Sequence, residues 1–365
     1  MEVPAADWSG VDERIQRLAD VAANAGCTSL VVKKQSTISW LLGVRSNVPN
    51  TLDATCYDIV LDVLTKQLRV ITNAIEAPRL KATELRDLAA ELQIVPWWED
   101  RESFLPTGAD VGSDSGRRGC TDLSVDVART RRRLDARQQQ TLREVCRDAA
   151  AAATRSAMRI TPEMTEYEAA GLYAQELLSA AMDPIVLMVA GDARMARDRH
   201  PIPTTHRLGR RGMLVCCARR HGLVASVTRI VAFEPLQPEE RNIYESLLAV
   251  EAGFLDASRP GAVLGDVLQT GTRGYAIHGF DTDEWHHHHQ GGYSGWDSRE
   301  FPARPDSVDI LEASQVVAWN QSGRGWKVED TCLITDAGAE PLVTDGTWPT
   351  IEIGGRSRPA VLERI

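Results

Sequence analysis

One paired apolar run limits what this chain can fold into. Residues 213–218 and 223–231 are apolar and partly β-branched, separated only by Arg219, Arg220, His221 and Gly222. Two such runs around a glycine-bearing turn predict a strand hairpin. Just ahead stands His200, followed by Pro201 and Pro203, where helix is disfavoured. The fold therefore delivers a histidine loop and two strands to one place.

The flanking segments fill in an α/β (α+β) chain of two domains, at 1–125 and 126–365. In the first, residues 11–26 carry Ile15, Leu18, Val21 and Ala22 at helical spacing with Gly26 as a stop. Apolar, β-branched runs of strand character follow at 28–34 and 36–44. Residues 56–64 and 68–72 read as a hairpin, 73–93 as an amphipathic helix and 94–98 as a short strand. Residues 105–128 are rich in Gly, Ser and Asp and read as a linker, or a flap. In the second domain, 129–158 reads as one long charged helix, with Arg129 to Arg133 as its solvated first turn or an inter-subunit contact. Thr165 and Glu168 make a capping box, and 183–192 a buried strand. Helices are expected at 238–257 and 261–274, and strands at 315–320 and 326–335. Residues 275–310 are irregular, aromatic and histidine-rich.

The hairpin, the ITPEMTE segment at 160–166 and the HHHHQGG run at 286–292 together resemble the pita-bread family of creatinase, Xaa-Pro aminopeptidase (aminopeptidase P) and prolidase. The resemblance implies a creatinase-like N-terminal domain, a C-terminal pita-bread domain and a homodimer. Metal-dependent members hold a dinuclear centre with two aspartates, one histidine and two glutamates. Counted back from Thr228 and Arg229, the aspartate positions fall at Val215 and Ser226. The histidine position matches His289, and the glutamate positions Asn320 and Glu329. Two of the five ligand types are kept. Hard divalent cations need carboxylates, which valine, serine and asparagine do not offer, so no metal and no cofactor are expected.

What remains suggests proton chemistry. His200 stands where the family keeps a histidine that is not a ligand, and in creatinase, which works without metal, the matching residue is the general acid/base. Imidazole titrates near neutrality and suits that task. His200, His289 and Glu329 are accordingly the catalytic candidates. Arg229, His288, Tyr293, Arg299, Asn320 and Lys327 are substrate-binding candidates, joined by Arg45, which the resemblance places beside the partner subunit's site. A strand at the histidine run would put His287 and His289 on one face and His286 and His288 on the other. Gly291 and Gly292 would let backbone approach a ligand. Glu329 shares a strand face with Lys327, and would hold a cationic group or orient His289. Arg299 would hold a carboxylate or sit in a surface ion pair.

The expected function is metal-independent, creatinase-like cleavage or rearrangement of a C–N bond, amidino or amide, in a small polar substrate. Two alternatives stand: a pita-bread pseudoenzyme that binds a peptide or protein, and an atypical Xaa-Pro-type metallopeptidase built on the histidine run. The net charge of −10 and sequence pI of about 5.4 disfavour a nucleic-acid partner. No apolar run of spanning length and no leader-like start is read, and the seven cysteines include no C-x-x-C pair. A cytoplasmic protein with reduced cysteines is expected. Cys216 and Cys217, near the lost ligand position, carry the minor alternative of a reactive thiol.

Overall fold

The computed structural model describes residues 8, 10–44, 46 and 55–365. These form two compact units, one of residues 1–132 with 221–223, the other of 133–220 with 224–365. Helix α4 (Ser124–Thr130) packs on the first helix, α1 (Val11–Asn24), within the first unit.

In the first unit α1 and α2 (Gln35–Leu42) accompany a six-stranded sheet. Its strands are β1 (Ser29–Val32), β2 (Tyr57–Asp62), β3 (Leu68–Asn73), β4 (Glu91–Val95), β5 (Gly108–Ser113) and β6 (Cys120–Asp122), in the order 4-3-2-1-5-6. A short α3 spans Ala77–Ala82. Three expectations are corrected here. The apolar run at 36–44 is helix, not strand: all eight residues of α2 are buried, so no polar face marks its period. Gly43 ends it at φ 69°, donating its N–H to the Ser39 carbonyl at 2.7 Å. The supposed linker carries β5, β6 and α4, with Gly112 so close to the Leu123 side chain that a Cβ there would stand 2.6 Å from it. Arg131 and Arg132 are buried rather than solvated, and Arg131 donates to Thr37 Oγ1 at 2.8 Å. Arg45 lies outside the described residues.

The second unit is built on a sheet whose main path runs 11-10-12-13-9-8-7. The strands are β7 (Asp183–Gly191), β8 (Arg211–Arg220), β9 (Leu223–Ala232), β10 (Gly291–Tyr293), β11 (Phe301–Pro302), β12 (Val316–Gly323) and β13 (Trp326–Thr335). Off that path, β14 (Gly338–Pro341) pairs with β13, and β17 (Leu362–Glu363) pairs with β9. A separate ribbon joins β15 (Thr350–Ile353) to β16 (Arg356–Pro359). Helices α5 (Ala136–Arg159) and α6 (Glu166–Ser179) pack near β7 and β8. A short α7 (Asp192–Met195) follows, and α8 (Pro238–Ala257) and α9 (Leu264–Ile277) pack together, with α8 against β12 and β13. The expected capping box at Thr165 forms, and a second one, Asp135 with Gln138, starts α5 seven residues later than the charge run suggests.

Two strand pairings set up the site. β12 and β13 are antiparallel with Asn320 opposite Glu329 and Ser322 opposite Lys327. The hairpin of β8 and β9 turns through His221 and Gly222 at φ 52° and 83°. Among the described residues, no helix is long and apolar enough to cross a membrane.

Candidate functional site

Strand alternation selects which side chains can meet. On β13, Lys327 and Glu329 share one face, while Trp326, Val328 and Asp330 take the other. On β12, Asn320 and Ser322 fall on the face of Lys327 and Glu329. All four are buried. Lys327 Nζ donates to Asn320 Oδ1 and, at 2.8 Å, to Glu329 Oε2. Arg299 completes the carboxylate, donating to Glu329 Oε1 at 2.9 Å and to the Ala318 carbonyl at 2.6 Å. Arg299 is therefore an inward ion-pair partner of Glu329, not a surface one.

Three histidines close over this group. His288 Nε2 lies 2.9 Å from His200 Nε2, and His288 Nδ1 3.2 Å from Ser322 Oγ. The His289 ring centroid is 4.7 Å from that of His288 and 5.9 Å from that of His200. The grouping differs from the expected alternation because residues 284–287 form a 3-10 turn. His288 and His289 leave that turn together toward His200, while His286 faces Asp283 at 3.8 Å with half its side chain exposed. Gly291 and Gly292 serve strand packing rather than a ligand: Cβ atoms there would stand 2.2 Å from the Ala318 and Phe301 carbonyl oxygens.

The donor inventory fixes the tautomers. An ammonium only donates, so the Asn320 carbonyl oxygen faces Lys327 and its amide nitrogen faces His288 Nε2, at 3.4 Å. His288 Nε2 is thus an acceptor. Its one lone pair takes the Nε2–H of His200, the shorter contact, with the Asn320 amide only at its edge, and its own proton sits on Nδ1, donated to Ser322 Oγ. Arg199 donates to the same Ser322 hydroxyl at 3.2 Å and pairs with Glu284. Sequence reasoning missed Arg199, Glu284 and Ser322. The signal for Ser322 was its place two residues from Asn320 on one strand.

Electrostatics keep the rings neutral. Loss of water, then the Lys327 charge, lowers His200 below the ordinary histidine value. The same two causes push His288 down to about 2. Loss of water, then Arg299, brings His289 to about 4, with Glu329 opposing. Burial alone would raise the Glu329 carboxyl, but Lys327 and Arg299 outweigh it and hold it below its usual range.

Two binding candidates stand elsewhere. Arg229 is buried on the other side of the sheet, bound to Asp330 Oδ1 and to the Val343 carbonyl, both at 2.7 Å. It follows Thr228 in the hairpin, and alternation turns it away from Ser226. Tyr293 is 1% exposed in the apolar core and donates to the Ile310 carbonyl at 3.0 Å.

The ligand comparison also shifts. Val215 belongs to the apolar core cluster. Across the hairpin, Ser226 Oγ meets Cys217 Sγ at 3.6 Å instead. Cys217 feels the charges of Glu329, Arg299 and Lys327, so Cys217 and Ser226 face this group. Burial, then Glu329, pushes the Cys217 thiol up to about 12, and burial also raises Cys216. Neither is a thiolate near neutrality, so a reactive-thiol role finds no support.

The fold places the chain among pita-bread proteins. Dipeptidase PepE from Mycobacterium ulcerans is similar with a TM-score of 0.77 at 17% identity, over 98% of this chain and 99% of that one. The prolidase from Pyrococcus horikoshii OT3 is similar with a TM-score of 0.76 at 15% identity, over 91% and 98%. The dipeptidase-like YkvY of Bacillus subtilis (strain 168) is 28% identical over 127 residues, 33% of this chain and 34% of that protein, so this match spans about a third of that relative. The model of metallopeptidase family M24 matches residues 140–336, and the chain belongs to that family as a divergent member.

The family implies a metal, and the donor set here does not fit its dinuclear centre. Of the five corresponding positions, Cys217 is a protonated thiol, Ser226 and Asn320 are neutral, and the one carboxylate, Glu329, is already bound by an ammonium and a guanidinium. A pair of hard cations would meet one engaged anion.

Proposed function

We propose that this chain is a hydrolase of M24 architecture that cleaves an amide-type C–N bond in a small polar substrate without the family's metal pair. The observation that carries this reading is Lys327, whose ammonium lies between Asn320 and Glu329. A fixed positive charge stands at the carboxylate that a metal would need. Proton transfer then falls to the histidines. His200 and His288 are in hydrogen-bond contact, and neutral imidazole is the form that accepts a proton. In this reading water attacks the carbonyl carbon as His200 takes its proton, with His288 orienting the His200 ring. The C–N bond breaks and the proton passes to the leaving nitrogen. Lys327, Arg299 and Glu329 form the charged floor that orients the substrate.

The three rings also favour a second reading, an atypical metallopeptidase, because His200, His288 and His289 offer nitrogens within 4.8 Å of one another. The test is turnover of a panel of small amides and amidino compounds by untagged protein, stripped with a chelator and verified metal-free. Turnover by metal-free protein, lost in His200→Ala with substrate affinity kept, is expected. Turnover that needs stoichiometric metal overturns the proposal. Ligand binding without any turnover moves the chain to the pseudoenzymes.

A further inference from the structure

We infer that His200, His288 and His289 form a mononuclear site for a borderline divalent cation such as zinc, cobalt(II) or nickel(II), and that its occupancy blocks proton transfer by these histidines. The regulatory half rests on the proton-transfer reading above; the binding half stands on geometry alone.

The donor set is three imidazole nitrogens and no carboxylate. Imidazole suits zinc, cobalt and nickel, whereas magnesium, calcium and manganese favour oxygen ligands. Two of the rings are already close to ligand spacing. Zinc–nitrogen bonds of about 2.0–2.1 Å put two nitrogens of a tetrahedron roughly 3.3 Å apart, and the two Nε2 atoms lie at 2.9 Å. His289 completes the set by closing roughly 1.5 Å from the 4.8 Å limit of the group. His200 and His289 are exposed, which gives an ion entry, while His288 is buried and anchored.

The second shell is in place for His288. Its Nδ1–H donates to Ser322 Oγ, itself held by Arg199, so Nε2 is the unprotonated nitrogen, and a metal there displaces the His200 and Asn320 donors. Such outer partners fix ring orientation and tautomer in metal sites. A metal here would replace the His200 to His288 hydrogen bond. It would occupy the lone pair that proton transfer needs, so the bound ion inhibits. The Lys327 ammonium opposes a dication through space, which keeps binding reversible. The site thus shares only His289 with the family's own and differs in its other ligands, in metal count and in effect on turnover.

The experiment uses untagged, metal-stripped full-length protein titrated with cobalt(II) and zinc, read by visible absorption, calorimetry and elemental analysis. One ion per chain is expected, with the absorption bands of low-coordinate cobalt and no uptake of magnesium or calcium. His288→Ala should weaken binding by at least about 100-fold. The double variant His286→Ala/His287→Ala should leave it unchanged, and Lys327→Met should tighten it. Zinc should suppress metal-free turnover with a midpoint equal to its binding constant, and chelator should restore it. Binding lost in the His286/His287 variant but kept in His288→Ala overturns the site. Binding at the site with turnover unchanged overturns the switch. Turnover that rises with metal sinks the proposed function while leaving the site standing.

Discussion

Glu329 and Asp330 are adjacent on one strand and face opposite ways, and the two charge networks they anchor differ in kind. Behind the sheet, Asp330 binds Arg229 at 2.7 Å and Arg358 at 3.0 Å, and Arg358 also grips Glu251 at 2.7 and 2.8 Å. Two cations meet two anions, every member is 1–3% exposed, and the network is closed. In front, Lys327 and Arg299 share the single anion Glu329, and neutral histidines stand between this group and the surface. The first network balances its charge and ends there. The second keeps a positive excess and opens outward. A buried ion cluster is structural when it closes on itself, and a candidate site when its sum is unbalanced and a titratable group faces water.

That contrast can be broken from either side. The largest effect is expected in front. His288→Ala should lower kcat by about 10²–10⁴-fold, with the melting temperature nearly kept, as read by steady-state kinetics beside thermal unfolding. Behind the sheet the pattern should reverse. Glu251→Ala leaves Arg358 short of a partner in a buried setting, and a loss of about 3–5 kcal/mol is expected by urea unfolding. Activity per folded molecule should stay near wild type. Equal kinetic damage from both variants would erase the distinction.

A smaller effect is a displaced pH profile. Because Lys327 and loss of water lower His200 and His288, the acid limb of kcat/KM should fall below the ordinary histidine value of 6.5. Lys327→Met should move it upward. The same groups tie stability to pH. An unfolded histidine takes up a proton near pH 6.5, while His289 in the fold resists until about 4. Across that window the unfolded chain binds more protons, so stability is full above 6.5 and falls as pH drops toward 4. Denaturant midpoints that rise as pH falls through this window would contradict the neutral-ring assignment. The smallest effect is expected at the exposed His286. His286→Ala should change stability by less than about 0.5 kcal/mol and leave turnover unaltered.

Most of the second unit was legible because its patterns are local. The hairpin around Gly222, the box at Thr165 and the helices expected at 238–257 and 261–274, observed at Pro238–Ala257 and Leu264–Ile277, announce themselves by local pattern. The fold of the first unit was harder. α2 is buried all round, so its sequence lacks the polar stripe that separates helix from strand. At the site, Lys327, Glu329 and Asn320 were found by strand alternation, which requires only parity. Arg229 failed that same test, since a parity count from Ser226 already sends it to the far face. The histidine run was misread because a 3-10 turn at 284–287 breaks the period of two. Cys217 replaced Val215 because a ligand count along the chain cannot see which residues stand opposite across the hairpin.

Lys327 also has a consequence for supply. A metal ion must be captured from a pool, and its occupancy follows the concentration of that pool. A charge on the end of a covalent side chain has an effective concentration fixed by its tether, insensitive to dilution, starvation or competition from other proteins. By placing its cation on the polypeptide, the strand brings that charge beside Glu329 as soon as it pairs with β12, and every folded copy holds it in equal amount.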